Sequence, residues 1–415
     1  MPLKASVNAD GTTTFSESGK DIYTERVTCR ACKHIQLDPI LSLGDQYLVN
    51  FVEEVDLSLP KAPLHLVRCQ GCGLLQLEHT TNPDLLFKTF WYRTGINETM
   101  RNAMKKIVNE GYMFQQEGVW LDIGANDGYL LSEVPNSFVK IACEPAKNLE
   151  AELKTIADIT ISDYFSSRHE SLYDDNGVGR CSVVTSAAMF YDVDDPGAFI
   201  DDVAKVLTPN GVWINQLNDA PTMMKQNAFD AICHEHLCYY DLGSLNDLYE
   251  EHGMTIIGVS YNDVNGGSMR VTARKKREGW GKYPVFQKDV VTHEDAVRFA
   301  DRVVKWKRKM MDMLHGEPAR TWLYGASTKG AVLLQYLGAN EYFAGIADRN
   351  PMKHGLYMTG SWLKVYPEET MRMDGLQRIM VLPWAFHDEF IERERKTLDN
   401  GAVMVFPLPN IETVL

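Results

Sequence analysis

From Asn227 to Tyr240 the chain reads Asn-Ala-Phe-Asp-Ala-Ile-Cys-His-Glu-His-Leu-Cys-Tyr-Tyr, and Cys233, His234, Glu235 and His236 set four ionisable or polar groups side by side. The two histidines are spaced i, i+2. Such a pair faces one way only in an extended or irregular segment, so this is not the helical His-Glu-x-x-His of a metalloprotease. Three uses remain open: metal ligation, a satisfied structural cluster, or proton transfer. A histidine titrating near neutrality suits removal of a proton beside a carbonyl, and an adjacent carboxylate can fix its tautomer or raise its basicity.

A second constellation is Cys29-x-x-Cys32 with Cys69-x-x-Cys72, each pair in a turn context, Cys-Arg-Ala-Cys and Cys-Gln-Gly-Cys-Gly. Four thiolates at this spacing predict a tetrahedral zinc site, with a redox or iron–sulfur role as the competing reading. Four sulfurs leave no open coordination position, so the zinc is expected to be structural. Such a clip could also serve a nucleic-acid reader. The formal net charge of −14 and the lack of a basic, aromatic stripe near residues 61–80 argue against that partner.

What must position the histidines is an α/β scaffold. Residues 119–128, Val-Trp-Leu-Asp-Ile-Gly-Ala-Asn-Asp-Gly, predict a buried strand ending at Ile123, a loop holding Gly124 and Gly128, and a helix opening at Tyr129. Side chains absent from the glycines would let a ligand's polar atoms approach backbone N–H groups at the carboxyl edge of a parallel sheet. The next strand ends at Glu144, about twenty residues on, where a ribose diol needs a carboxylate. Neither Gly-x-Gly-x-x-Gly nor Gly-Lys-Ser/Thr occurs here, which weakens dinucleotide and nucleoside-triphosphate readings.

A second unit of the same plan runs Thr-Trp-Leu-Tyr-Gly-Ala-Ser-Thr-Lys-Gly from Thr321, with Asp348 ending its following strand. Ser327, Thr328 and Lys329 at a helix start would make a phosphate cradle, and Asn350 and Lys353 add a polar loop at the same edge; the competing reading is a plain helix cap with a solvated lysine. Tyr92, beside Arg93 and Gly95, is expected to reach into the cleft. Residues 254–260 and 267–274 read as an antiparallel pair, and 285–315 as a long, charged, amphipathic helix.

The order Asp122-x-Gly124-x-Asn126-x-Gly128 resembles the first motif of class I S-adenosylmethionine (SAM) methyltransferases. Glu144, Asp163-Tyr164 after a third strand, a fourth strand over 181–190, a fifth ending near Gln216 and the reversed pair all fit that resemblance. With the four-cysteine module, His-Glu-His before Tyr239-Tyr240 and the Gly-Ala-Ser-Thr-Lys-Gly half-fold, the chain looks like the C-methyltransferases of bacterial deoxysugar pathways, whose best-understood members methylate C-3 of a nucleotide-linked 4-keto-6-deoxyhexose. That resemblance implies His236 as the base that takes the proton alpha to the ketone, with Glu235 supporting it and SAM as methyl donor; His234 is a further catalytic candidate and Tyr240 an acceptor-binding one. Two positions depart from the family: Cys233 stands where a tyrosine precedes His-Glu-His, and Asp192 where a histidine follows the fourth strand. The identity of the acceptor and the donor to the enolate oxygen are therefore open.

At 415 residues, with 45% hydrophobic and 24% charged, the chain exceeds one ordinary core. The expected layout is a tail over 1–20, a zinc module over 21–85, a SAM domain over 86–275 and a Rossmann-like acceptor domain over 276–415. No window approaches eighteen apolar residues and residues 1–20 lack a secretion signal's apolar core, so a cytoplasmic protein without a membrane partner is expected. Its partner would be a small-molecule acceptor, a nucleotide-linked sugar in the leading reading. The alternatives are an O- or N-methyltransferase, a keto-sugar epimerase with vestigial SAM, and a zinc-module protein that binds SAM without transferring methyl.

Overall fold

The computed structural model describes residues 3–89, 91, 93–96, 98–277, 290–316, 321–375 and 378–415. Tyr92 lies outside the described residues, as does the start of the helix expected over 285–315, which is seen as His293–Gly316. Among the described residues no helix is long and apolar enough to cross a membrane.

At the centre is a seven-stranded sheet. Its strands lie in the order Ile159–Ile161, Phe138–Cys143, Gly118–Ile123, Cys181–Ala187, Leu207–Asn218, Ser268–Lys275 and Met254–Asn262. The first five are parallel, Ser268–Lys275 runs antiparallel to them, and Met254–Asn262 pairs antiparallel with it to complete the expected pair. Gly118–Ile123 is buried almost end to end, as a central parallel strand covered on both faces must be. Asp122 stands level with Ala142 and Thr185 on the flanking strands, so the glycine loop leaves the sheet at the point where strand order reverses. Helices on either side are set by local signals. Asp195 caps Pro196–Val206 by accepting from Ala198 N, and Asp241 caps Leu242–Glu251 by accepting from Ser244 N.

An eight-stranded sheet holds the second strand, loop and helix unit, Thr321–Tyr324 followed by Thr328–Leu337, with Phe343–Ala347 as its parallel neighbour. Its far edge is not C-terminal sequence at all. Phe51–Val52 pairs antiparallel with Tyr357–Met358, and Thr359 Oγ1 donates to Leu48 O at 2.7 Å.

The N-terminal region forms two four-stranded sheets. One is Lys4–Val7, Thr13–Glu17, Lys20–Glu25 and His79–Thr81, so the expected tail over 1–20 is instead antiparallel sheet. Its strands are mostly exposed or half-buried, and Thr and Ser favour extended pairing without supplying an apolar pattern. The other sheet joins Leu37–Tyr47, Lys61–Cys69 and Leu75–Leu77 to Cys238–Tyr239. That last strand is the end of the His-Glu-His stretch, with Cys238 opposite Gln76 and Tyr239 opposite Leu75.

Candidate active site

A cavity of about 700 Å³ gathers the glycine loop, the His-Glu-His stretch and the start of the second unit's helix. Asp122, Gly124, Asn126, Glu144 and Tyr164 line it from the central sheet; His234, Glu235 and His236 from the segment beyond; Ser327, Thr328 and Lys329 from the C-terminal half.

The loop's backbone requires its glycines. Gly124 has φ +72° and Gly128 φ +76°, the left-handed region that favours glycine, and a Cβ on Gly128 would come within 2.8 Å of Ile156. Gly128 thereby shapes the loop without lining the cavity. Glu144 Oε2 accepts from Asn126 N at 2.9 Å and Oε1 from Ala146 N at 2.9 Å. Burial raises its pKa although both bonds oppose this. Asp122 is buried under the loop, where burial pushes its carboxyl up to about 7 against the hydrogen bond from Thr185 Oγ1 at 2.6 Å. A polar edge of this kind, beside open backbone, could hold the ribose and amino-acid groups of SAM. Asp163 lies on the exposed surface rather than on the cavity wall, while Tyr164 reaches the wall and donates to Asp84 at 3.3 Å.

The two histidines are anchored differently. His234 is buried, with Nε2 at 2.9 Å from Ala62 O, so that nitrogen carries the proton and the ring is pinned to the zinc-bearing sheet. His236 is half-buried, with Nδ1 at 2.8 Å from Ala231 O. A carbonyl only accepts, so Nδ1 is protonated and the Nε2 lone pair is left to act. Tyr191 packs edge-on against the His236 ring at 4.3 Å. Burial, and then the Lys329 ammonium, depress the His236 pKa to about 3, and burial holds His234 at about 4, so both imidazoles are neutral at pH 7. The acids run the other way. Burial lifts Glu235, and burial plus the Glu235 charge lift Asp192 far above the ordinary carboxylate range. One oxygen of each, Glu235 Oε2 and Asp192 Oδ1, is buried without a hydrogen-bond partner among the described residues.

Three expected acceptor residues lie elsewhere. Tyr240 is buried and stacked on Phe190 at 5.4 Å, off the cavity wall. Asn350 caps its own turn by accepting from Met352 N, and Lys353 Nζ donates to Ala326 O at 2.6 Å. Both serve the loop rather than the cavity.

Conversely, the sequence reading missed Pro383, Trp384, Ala385 and Phe386, which form the opposite wall; Trp384 Nε1 donates to Asp230 Oδ2 at 2.8 Å. The available signal was their position after the strand Arg378–Val381, at the same carboxyl edge as the Ser327 loop.

The four cysteines converge. Cys29 and Cys72 Sγ are 3.6 Å apart, Cys32 and Cys69 Sγ 3.5 Å, and all four sulfurs lie within 4.8 Å of one another. A zinc–sulfur bond of about 2.3 Å in a tetrahedron implies sulfurs about 3.7 Å apart, so the set fits zinc. When bound, the ion would supply fixed geometry and no open position for chemistry.

Three family models match consecutive parts of the chain: a zinc binding domain over residues 29–87, a methyltransferase domain over 96–259 and a C-methyltransferase C-terminal domain over 263–409. Together the three models run from residue 29 to residue 409. The chain is a SAM-dependent methyltransferase with a zinc-binding N-terminal domain. It is similar to the C-methyltransferase NovU of Streptomyces niveus, 27% identical over 410 residues, covering 94% of this chain and 97% of that one. Similar solved structures include the Burkholderia thailandensis 1,6-didemethyltoxoflavin-N1-methyltransferase, 14% identical over 43% of this chain and 80% of that one, TM-score 0.34. Another is the magnesium protoporphyrin IX methyltransferase of Synechocystis, 11% identical over 44% and 89%, TM-score 0.34.

Proposed function

We propose that this methyltransferase methylates the carbon alpha to a ketone in an anionic, activated acceptor, a nucleotide-linked keto-deoxysugar, with His236 as the base. The observation that carries this reading is the neutral His236 ring in the shared cavity, with Nδ1 committed to Ala231 O and Nε2 uncommitted. An oxygen or nitrogen acceptor already has a lone pair and can be methylated by positioning alone, whereas a carbon acceptor needs a base.

The roles follow from the groups at hand. His236 Nε2 takes the alpha proton, and the electron pair of that C–H bond moves into the enolate. The Ala231 carbonyl, still accepting from Nδ1, stabilises the imidazolium formed. Asp192, held as a neutral acid by burial and by Glu235, donates to the enolate oxygen, where the better-known sugar enzymes have a histidine. SAM supplies an electrophilic methyl group to the enolate carbon. Thr328 and Lys329 open the helix Thr328–Leu337 on the cavity wall, and their backbone N–H groups and the ammonium favour an anionic end of the acceptor. Pairing Lys329 with that anion would cancel part of its field at His236 and strengthen the base as the acceptor binds.

Solvent deuterium exchange tests the assignment. With a nucleotide-linked 4-keto-6-deoxysugar and no SAM, the parent should exchange the alpha proton. His236→Ala should lose exchange and methylation by about 10²–10⁴-fold while SAM affinity is kept. Parental exchange in the variant would remove His236 from the role.

A further inference from the structure

Outside the cavity and the four cysteines, one cluster among the described residues has the composition of a metal site. His65 lies in the strand Lys61–Cys69, Glu78 follows Leu75–Leu77, and His79 opens the strand His79–Thr81. One ligand atom from each lies within 4.8 Å of the others. His65 Nδ1 is 3.1 Å from Glu78 Oε2, and the two imidazole centroids are 5.2 Å apart. The backbone fixes this arrangement, because Glu78 N donates to His65 O at 2.9 Å.

We propose that His65, Glu78 and His79 form a second metal site for a divalent cation of the zinc class, separate from the cysteine site. Two imidazoles and a carboxylate make a nitrogen and oxygen set suited to zinc, cobalt or nickel rather than to calcium or magnesium. Ligands about 2.0–2.2 Å from zinc sit about 3.3–3.6 Å from one another in a tetrahedron, a few tenths of an ångström beyond the 3.1 Å between His65 and Glu78.

His79 gives an independent reason. It is 7% exposed, and its Nδ1 has no hydrogen-bond partner among the described residues. The hydrogen bond between His65 and Glu78 satisfies those two without satisfying His79, whereas an ion would engage all three. The His65 and Glu78 side chains are 36% and 31% exposed, which gives an ion its entry path and leaves a fourth position for water. Cys69 is four residues beyond His65 on the same strand, about 13 Å at 3.3 Å per residue, so the two sets cannot share one ion. The second ion would clamp the corner from which Thr80 and Thr81 run into the cavity wall.

Metal stoichiometry tests this on the untagged full-length chain, equilibrated with buffered zinc. Two zinc ions per chain are expected, falling to one in Glu78→Gln and in His65→Gln, both conservative changes at part-exposed positions. With cobalt, the parent should show intense thiolate charge-transfer absorption together with a weaker nitrogen and oxygen ligand-field band. The variants should lose only the second, which also shows that the cysteine module remains folded. One ion per chain in the parent, or two retained in both variants, overturns the proposal.

Discussion

The two strand, loop and helix units are built alike and used differently. In the central unit Glu144 ends the second strand and accepts from the loop's Asn126 N; in the C-terminal unit Asp348 ends the second strand and accepts from the loop's Ala326 N at 2.7 Å. Up to this point they correspond step by step. They part at what stands beside the acid. Glu144 faces the cavity, but next to Asp348 the Lys353 ammonium is inserted, bonded to Ala326 O, 3.9 Å from Asp348 Oδ2 and over the ring of Phe51 at 4.8 Å. A lysine there occupies the ground that a nucleoside would need. The same topology therefore gives an open cleft in one sheet and, in the other, a closed loop at Lys353, with Ser327–Lys329 and the 382–386 wall as that unit's contribution to the cavity.

That difference can be tested by removing each acid. Asp348→Ala should have the largest effect, on stability rather than on SAM. It strips a buried ammonium of its counter-charge and Ala326 N of its acceptor, and breaking such a pair from one side costs about 3–5 kcal/mol. Burial already pushes the Lys353 pKa down, with Asp348 opposing it, so the lone lysine should be the source of the loss. Adding Lys353→Met to Asp348→Ala should recover most of it in denaturant unfolding. A double variant as unstable as the single would show that the lysine is not what Asp348 is there to hold. Glu144→Ala, the matching change in the central unit, should lower SAM affinity by about 1–3 kcal/mol through the lost hydrogen bonds. Calorimetry giving parental affinity would move the ribose away from Glu144.

The sequence made the central unit legible because each of its signals was local: a fully apolar strand, glycines in the turn, an acid at the end of the next strand. The C-terminal unit shows the same signals, and its plan was read for the same reason. The places of Asn350 and Lys353 were not legible, because the bond of Lys353 to Ala326, and that of Asn350 to its own turn, depend on contacts that a polar loop sequence does not display. The three strands of residues 4–25 were missed for want of an apolar alternation. The links between regions were beyond reach altogether: Phe51–Val52 and Cys238–Tyr239 are two-residue strands, too short to carry a period, and they form only because distant edges meet. One consequence is mechanistic. His234 hangs from Ala62 and Cys238–Tyr239 pairs with Leu75–Leu77, so the zinc-bearing sheet is part of the support of the proposed base and not a detached module.

The smallest expected effect is also the most specific, and it compares the two lysines. Lys329 lines the cavity and its charge reaches His236; Lys353 is off the cavity wall and bonded to its own loop. A cation beside an imidazole disfavours the second positive charge, so Lys329 acts in the same direction as burial and lowers the His236 pKa. Lys329→Met should remove only the lysine's share, leaving burial in place, and the pKa should move up toward the ordinary histidine value. The proposed base works when neutral, so activity should be lost as pH falls through that pKa. The acid limb of kcat/KM, near pH 3 or below the folded range in the parent, should therefore appear at higher pH in Lys329→Met, with a larger acceptor Kd and unchanged SAM affinity. Lys353→Met should leave the limb and the acceptor Kd where they were. NMR titration of the His236 ring gives the same comparison without turnover. An unmoved His236 in Lys329→Met would mean that the ammonium does not act on the base, and the C-terminal unit would then contribute a wall and no charge to the chemistry.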